Sequence, residues 1–498
     1  MNTNHNFAVQ RISKEYTFLQ SSKGAKKYII LYTAIKGCIL KRELPDAWLL
    51  PPTRILSSAM KLSRTTILKA YELLLLEKLI ISKIGSGNRV HFKDVEKTMN
   101  ITKERVPQNA NYPEISQKGQ AYLKNLDLLN RLPTNDVAFR PGLPPLDVFP
   151  VHQWKKLLNT YWMHVKSSGL AYSQSAGLNE LKNGISNYLQ VSRNLKCRAE
   201  QIVIVSGSLQ SLYLIANTLL NKGDAVVLEN PVFPNVHSVF KSSEAQLIPA
   251  NLDNEGIDLS KLVVPVNSIP KLIHVTPSNH YPTGVRMTLS RRQELLEWAS
   301  KNKALIIEND YEHEIANATN PIPTIYTLDR ESRTIYVGTF NRLLHPSIRL
   351  GYMIVPSYLS EAVEALQEHS HRFVSPSIQM VMNQFIERSY LYKHLERSIV
   401  VARERYDLFI SEFNLHCKTM YIQPASFSSF HVVAHFKDYV TEAHEREVIK
   451  KLNNRNITAF SLSKCYITGE AQLGLILGYA AVRTAVMKYK IKIMSEVI

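Results

Sequence analysis

Apolar and polar positions follow two different rhythms along the chain, and the change of rhythm divides it. Between Trp48 and Tyr71 the sequence WLLPPTRILSSAMKLSRTTILKAY has a helical period. It predicts a short helix from Thr53 through Met60, a turn at Lys61 and Leu62, and a second helix capped by Ser63. In that second helix Ile67, Tyr71, Leu74 and Leu75 fall at i, i+4, i+7 and i+8. One face is thereby buried, and Arg64, Thr65 and Lys69 are left on the other, near the N-terminal end. The run LIISKIGSGNRVHF then shifts to a strand rhythm, turns at Gly85-Ser86-Gly87 and returns, which predicts a two-stranded hairpin. Residues 1–25 are polar and lack a clear period, so they read as an arm. Residues 93–135 are charged and rich in Asn and Gln, and read as a linker with at most one helix near 118–131. From Phe139 onward, short β-branched runs alternate with helical stretches: IVIVSG (202–207), AVVLEN (225–230), LIHVTP (272–277), ALIIEND (304–310), TIYVGTF (334–340) and LGYMIVP (350–356). That alternation predicts an α/β domain around a mainly parallel sheet.

Composition narrows the class without naming a function. A chain of 498 residues, 45% apolar and 20% charged, is globular and too long for one ordinary core, so a small module joined to a large one is expected. No apolar run approaches the roughly 18 residues that span a bilayer, and the start MNTNHNFAVQRISKEY lacks the apolar core of a signal peptide. The expectation is a soluble, cytoplasmic protein with no membrane partner. Cys38, Cys197, Cys417 and Cys465 lie far apart and form no CxxC pair, so neither a metal site nor a disulfide framework is expected. The formal charge is +18, and residues 1–100 hold 17 Lys/Arg against 7 Asp/Glu, more than half of that excess. Basic charge gathered in a fifth of the chain favours a polyanion as partner, with a solvated basic face as the plainer alternative.

Motifs decide between the two. LPPTR ending at Arg54, SRTTILKAY from Ser63 to Tyr71 and GSGNRV from Gly85 to Val90 stand in the order of LPSSR, SRxTVxxAY and GSGTFV. Residues 26–92 therefore resemble the GntR-type winged helix-turn-helix. The resemblance implies that Arg54, Arg64, Thr65, Thr66 and Gly87 contact DNA, and the exposed face adds Lys69. The N-terminal end of such a recognition helix meets base edges in the major groove, and the wing lies on the phosphate backbone.

The larger part, residues 136–498, resembles a fold-type I aminotransferase. The blocks FRPGLPPLDVFP, AYSQSAGLNELKNGISNYL, VSGSLQSL, ENPVFP, VTPSNHYPTGV, ENDYEHE and GTFNRLLHPSIRLGY occur in that family's order between residues 139 and 352. The implied fold is α/β, with a mainly parallel sheet and a small C-terminal α+β subdomain at 385–498. A GntR module ahead of such a domain is the signature of the MocR group of transcriptional regulators. That resemblance implies operator DNA as partner and a head-to-tail homodimer.

The chemistry implied by the aminotransferase family is only partly retained. A pyridoxal phosphate enzyme needs a lysine amine for its Schiff base, an acid at the pyridine nitrogen, and donors for the phosphate. In the family motif GTFSKxLxPxLRLGY the lysine stands where this chain has Arg342, and the preceding serine is Asn341. A guanidinium is planar, permanently charged and non-nucleophilic. Asn309 replaces the aspartate of EDDYDSE and can hydrogen-bond the ring nitrogen without stabilising its protonated form. Phe233 replaces the stacking tyrosine of EDPGYP, and Ile476 falls where relatives carry an arginine for the substrate carboxylate. By the same resemblance Arg349 matches the phosphate arginine and Tyr311 faces the ring hydroxyl. Ser208 and Leu209 offer backbone amides at a helix N-terminus. His280 and His345 in the same loops read as hydrogen-bonded residues and not as ligands.

These residues imply a regulator without a covalent cofactor. The site could hold pyridoxal phosphate, or another phosphate- or carboxylate-bearing effector, non-covalently. It could equally be retained for dimerisation alone, with Arg342 and Arg349 neutralising buried carboxylates or helix ends. The competing class is a pyridoxal-phosphate-dependent aminotransferase with an appended DNA-binding module, against which Arg342 stands.

Overall fold

The computed structural model describes residues 3–20, 26–83, 87–91, 113–129, 138–316, 321–423, 427 and 429–498. The chain divides into two compact units, 1–114 and 115–498. Among the described residues no helix is long and apolar enough to cross a membrane.

The first unit contains α1 (Thr3–Leu19), α2 (Lys27–Leu40), α3 (Thr53–Met60), α4 (Arg64–Leu76), β1 (Ile80–Lys83) and β2 (Gly87–Val90). α3 closes on Lys61 in the left-handed region at φ 52°, and the Ser63 hydroxyl accepts the Thr66 amide at 3.2 Å to start α4. These two residues make the turn between the helices. Ile67, Tyr71 and Leu74 are buried with Leu56 of α3 and Leu31 and Ile35 of α2, while the Tyr71 hydroxyl donates to Pro51 O at 2.7 Å. β1 and β2 pair antiparallel with Ile80 opposite Val90, as the hairpin rhythm predicts. Gly85 and Ser86, read as its turn, lie outside the described residues.

Residues 3–19, read as an arm, instead form a helix. Ala8, Ile12 and Tyr16 are buried in the core of the unit, and α1 packs on α2. Their four-residue spacing is a single narrow stripe in an otherwise polar stretch, too thin to register as a period.

The second unit is built on an eight-stranded sheet. Its strands are β3 (Ile202–Val205), β4 (Ala225–Asn230), β5 (Gln246–Asp253), β6 (Gly256–Ile257), β7 (Pro270–Val275), β8 (Leu305–Asn309), β9 (Thr334–Thr339) and β10 (Gly351–Ile354), in the order β3-β10-β9-β8-β7-β4-β5-β6. β9, β8, β7, β4 and β5 run parallel, whereas β10 is antiparallel to both of its neighbours. The six predicted runs are six of these strands. β5 escaped the sequence reading because QLIPANLD buries only Ile248 and Ala250 and contains Pro249, so it has no apolar run to detect. The C-terminal ends of the parallel strands share one edge, where open α/β sheets place their ligands.

Part of the predicted linker belongs to this unit. α5 (Gln117–Lys124) and the following turn pack against the helix Pro234–Ser242, and the buried Asn125 donates to Ser242 Oγ at 3.0 Å. A polar side chain anchors the turn, so hydropathy gave no sign of it. The rest of 93–135, at 93–112 and 130–135, lies outside the described residues. Beyond the long helix Tyr390–His416, β11 (Met420–Ile422), β12 (His431–Phe436), β13 (Phe460–Ser461) and β14 (Gly474–Gly478) form a four-stranded antiparallel sheet in the order β11-β12-β14-β13. Phe139, Phe409, Phe413 and Tyr479 fill the core beneath it, giving the expected small α+β subdomain.

Candidate functional site

The C-terminal ends of β4, β7, β8 and β9 and the start of the helix Ser208–Leu219, here α6, surround a cavity of about 270 Å³. Ser208, Leu209, Phe233, Asn309, Tyr311, Arg342 and Arg349 all line it. Residues as much as 141 positions apart in sequence are thus brought to one place by the strand ends. Gly207 precedes α6 at φ 134° and offers no side-chain cap, so the amides of Ser208 and Leu209 have no acceptor within the helix. A Cβ on Gly207 would fall 2.4 Å from Asn341 Nδ2. That amide donates to Ser206 O at 3.2 Å, and Asn341 Oδ1 accepts the Leu350 amide at 2.9 Å. Asn341 therefore ties the arginine-bearing loop to the end of β3 and the start of β10. Arg349 sits in the left-handed region at φ 50°, exposed, with Nη2 3.4 Å from Ser206 Oγ. The two amides and Arg349 line the same cavity and are donors of the type that suit an anion.

Arg342 is held by charge and by a ring. Its Nη2 lies 3.1 Å from Glu312 Oε1, and its guanidinium stands 5.1 Å from the centre of the Tyr311 ring. Gly142, at φ 82°, leaves it room, since a Cβ there would fall 1.5 Å from Nη1. Glu312 is wholly buried, and its Oε2 accepts Asn279 Nδ2 at 3.1 Å and Ser429 Oγ at 2.9 Å. Among the described residues lining the cavity none is a lysine.

At the far wall Asn309 Nδ2 lies 3.3 Å from His274 Nε2, while Asn309 Oδ1 is buried without a hydrogen-bond partner among the described residues. Burial holds His274 down to about 3, so the imidazole is neutral. With His274 uncharged, what this point offers is an unsatisfied acceptor. Phe233 meets Tyr281 edge-on at 4.8 Å and forms a side wall. The aromatic wall at Phe233, the Asn309 amide, and the donors at Ser208, Leu209 and Arg349 are the kinds of group that meet the ring, the ring nitrogen and the phosphate of pyridoxal phosphate. The residues present fit the cofactor held without a Schiff base.

Two charged lining residues were missed in the sequence. Arg140 is one. The other is Glu229, whose carboxylate accepts the Thr276 amide at 3.1 Å and Thr276 Oγ1 at 2.8 Å. Burial pushes its carboxyl up to about 8 despite those hydrogen bonds. His280, 3.7 Å away, brings no compensating charge, because burial holds it down to about 4. The available signal was an acidic residue near the end of the fully apolar run AVVL. A carboxyl raised in the folded state keeps a proton that the unfolded chain releases, so its contribution is present below about pH 4 and lost as pH rises through about 8. Glu229→Gln is expected to flatten the fall in stability between those limits; denaturant midpoints taken across the range check this.

The remaining expectations resolve simply. His280 bonds Thr283 Oγ1 at 2.8 Å and Pro231 O at 3.0 Å, and His345 bonds Ser347 Oγ at 2.8 Å. Ile476 is buried on β14 with Phe460, Leu462 and Cys465, so that position carries no charge for a carboxylate.

In the first unit, Arg54 on α3 and Arg64, Thr65 and Lys69 on α4 are exposed. Thr66 is half-buried, and its hydroxyl lies 2.8 Å from Ser63 Oγ, which gives it a part in the cap. Lys69 Nζ stands 5.7 Å from the Tyr28 ring centre. Gly87 opens β2 at φ 78°, where a Cβ would meet Leu49 Cδ1 at 3.3 Å, and Arg89 Nη1 donates to Ala47 O at 3.1 Å to hold the hairpin.

Residues 141–489 match the family described as aminotransferase class I and II. Over 459 residues the chain is 29% identical to the probable rhizopine catabolism regulatory protein MocR of Rhizobium meliloti, spanning 92% of this chain and 91% of that protein. Aromatic-amino-acid aminotransferase 1 of Thermococcus litoralis is 26% identical over 291 residues, spanning 57% of this chain and 70% of the enzyme. An archaeal alanine:glyoxylate aminotransferase has the same fold, with a TM-score of 0.66 at 20% identity over 77% of this chain and 95% of the enzyme. The match to the regulator continues through the helix-turn-helix, and the chain belongs to the aminotransferase class I and II family in the two-part organisation of the MocR-type regulators.

Proposed function

We propose that this chain is a MocR-type transcriptional regulator that binds operator DNA through α3, α4 and the β1–β2 wing. Its aminotransferase-like unit serves as a dimerisation and effector domain. The observation that carries the reading is the contrast between the two sites. The helix-turn-helix keeps basic and polar side chains free on its reading face, while the cavity holds Arg342, paired with Glu312, where covalent chemistry needs an amine.

In this reading the cavity binds pyridoxal phosphate non-covalently. The amides of Ser208 and Leu209 and Arg349 hold the phosphate, Phe233 covers the ring, Asn309 meets the ring nitrogen and Tyr311 the ring hydroxyl. When bound, the group supplies an electron-withdrawing ring and an aldehyde. Arg342 offers that aldehyde a charged hydrogen-bond donor and no nucleophile. Dimerisation is supported by a run of exposed apolar side chains in the segment from 151 to 172: Trp162 at 55%, Met163 at 72%, Leu170 at 62% and Tyr172 at 81%. Patches of this kind mark protein interfaces.

Calorimetric titration of the full chain with pyridoxal phosphate and with its amine form tests the cofactor reading. Saturable heat from at least one of them, abolished by Arg349→Ala, is expected, and borohydride should fix no cofactor mass to the protein. A lysine-linked adduct would sink the reading in favour of a working aminotransferase. The Arg342–Glu312 pair favours a second reading, a purely structural domain, which absence of heat from either titrant would support.

A further inference from the structure

The solvent face of α4 carries more than its charges. Leu68 lies four residues after Arg64 and three after Thr65, so it sits between them one turn further along the helix, with Lys69 beside it. It is 48% exposed, although the leucines and isoleucine on the other face of the same helix are packed into the core. Leu68 is not part of the core of the unit and leaves about half of its surface to solvent. Its neighbours toward the start of the helix are cationic and polar, since Arg64, Thr65 and Lys69 are all exposed, and one turn further on stands the exposed acidic Glu72. A protein partner with an apolar surface would have to bury these charges to reach Leu68. A DNA duplex would take the charges at its phosphates and guanine edges and would present one kind of apolar group in the major groove, the thymine 5-methyl.

We propose that Leu68 is a specificity-determining residue that reads a thymine methyl in the operator, between the bases or phosphates met by Arg64 and Thr65. This rests on the DNA-binding reading given above and adds a base identity to it. Arg64 and Lys69 supply affinity that depends on salt, and Leu68 supplies discrimination that does not.

Deoxyuridine lacks only the methyl and keeps every hydrogen-bonding edge of thymine, so it isolates the contact. The full-length chain is used to select its site from a random duplex pool, and each thymine of the selected duplex is then replaced singly by deoxyuridine. At one thymine per half-site the replacement is expected to weaken binding by the wild-type chain about three- to fivefold, the scale of one buried methyl. The same replacement should leave binding by Leu68→Ala unchanged, and a pool selected with that variant should lose its preference at that position. The slope of affinity against salt should be the same for both proteins. Because Leu68 is exposed, the variant should melt with the wild type. If every deoxyuridine replacement affects the two proteins equally, or the Leu68→Ala pool keeps the same preference, the inference is overturned while DNA reading stands. A pool that never enriches with the wild-type chain overturns the DNA-binding reading and this inference with it.

Discussion

Replacing Arg64 by alanine should abolish specific operator binding and leave the protein folded. The side chain is exposed at the first position of α4, where it makes no packing contact with the core of the unit. Nothing in the fold is lost with it. In a complex, however, a guanidinium at the leading end of a recognition helix meets a base or a phosphate, and its removal costs roughly 1–3 kcal/mol. In the dimer proposed above the loss is counted twice on one operator and reaches about 2–6 kcal/mol. That is a weakening of between about thirtyfold and twenty-thousandfold. Gel shift with the full-length variant, alongside its circular dichroism spectrum and melting curve, checks both halves of the expectation. Undiminished binding would remove α4 from the interface.

Replacing Arg342 by alanine should act on stability. Glu312 is wholly buried, and Arg342 is its cationic partner at 3.1 Å, with a side chain 21% exposed. Removing one member of a buried pair leaves the other uncompensated, at a cost of roughly 3–5 kcal/mol; the partial exposure of the arginine sets the expectation near the lower end. The sign of the pH dependence follows from burial, which already raises the Glu312 carboxyl, and Arg342 opposes that rise. Without the arginine, the folded state holds a proton on Glu312 more firmly than the unfolded chain does. Stability of the variant therefore falls as pH rises above the ordinary carboxylate range, and the deficit should be smallest in mild acid. Glu312→Gln in the same chain removes the buried charge and should restore most of the loss at neutral pH. Urea titrations of the wild type, Arg342→Ala and the double variant at pH 5 and pH 8 measure all three effects. A deficit that is the same at both pH values, and is not relieved by Glu312→Gln, would show that Arg342 does not serve as the partner of that carboxylate.

How much of this was visible in the chain itself depends on how each element is held. α3 and α4 were legible to the residue because their signals are local: a Ser63 cap, a turn, and an apolar stripe that buries one face. Six strands of the large sheet were legible because strands buried on both faces read as continuous apolar runs. α1, β5 and the turn at Asn125 were not, since each is held by a few contacts spaced through polar sequence. The cavity was legible through motifs, which carried seven residues to one place. Glu229 and Arg140 were missed because their importance comes from which neighbours surround them, and the partner of Arg342 could not be found from spacing. Glu312 is thirty positions earlier, on another strand end, and only the sheet brings the two together.

The central claim is that this chain reads DNA sequence. It is tested most directly by comparing equilibrium binding of the full-length protein to its selected duplex and to a scrambled duplex of equal length, at physiological salt. The selected duplex should bind at least about a thousandfold more tightly, the lower end of what specific DNA-binding proteins achieve. Equal affinity for the two duplexes would contradict it.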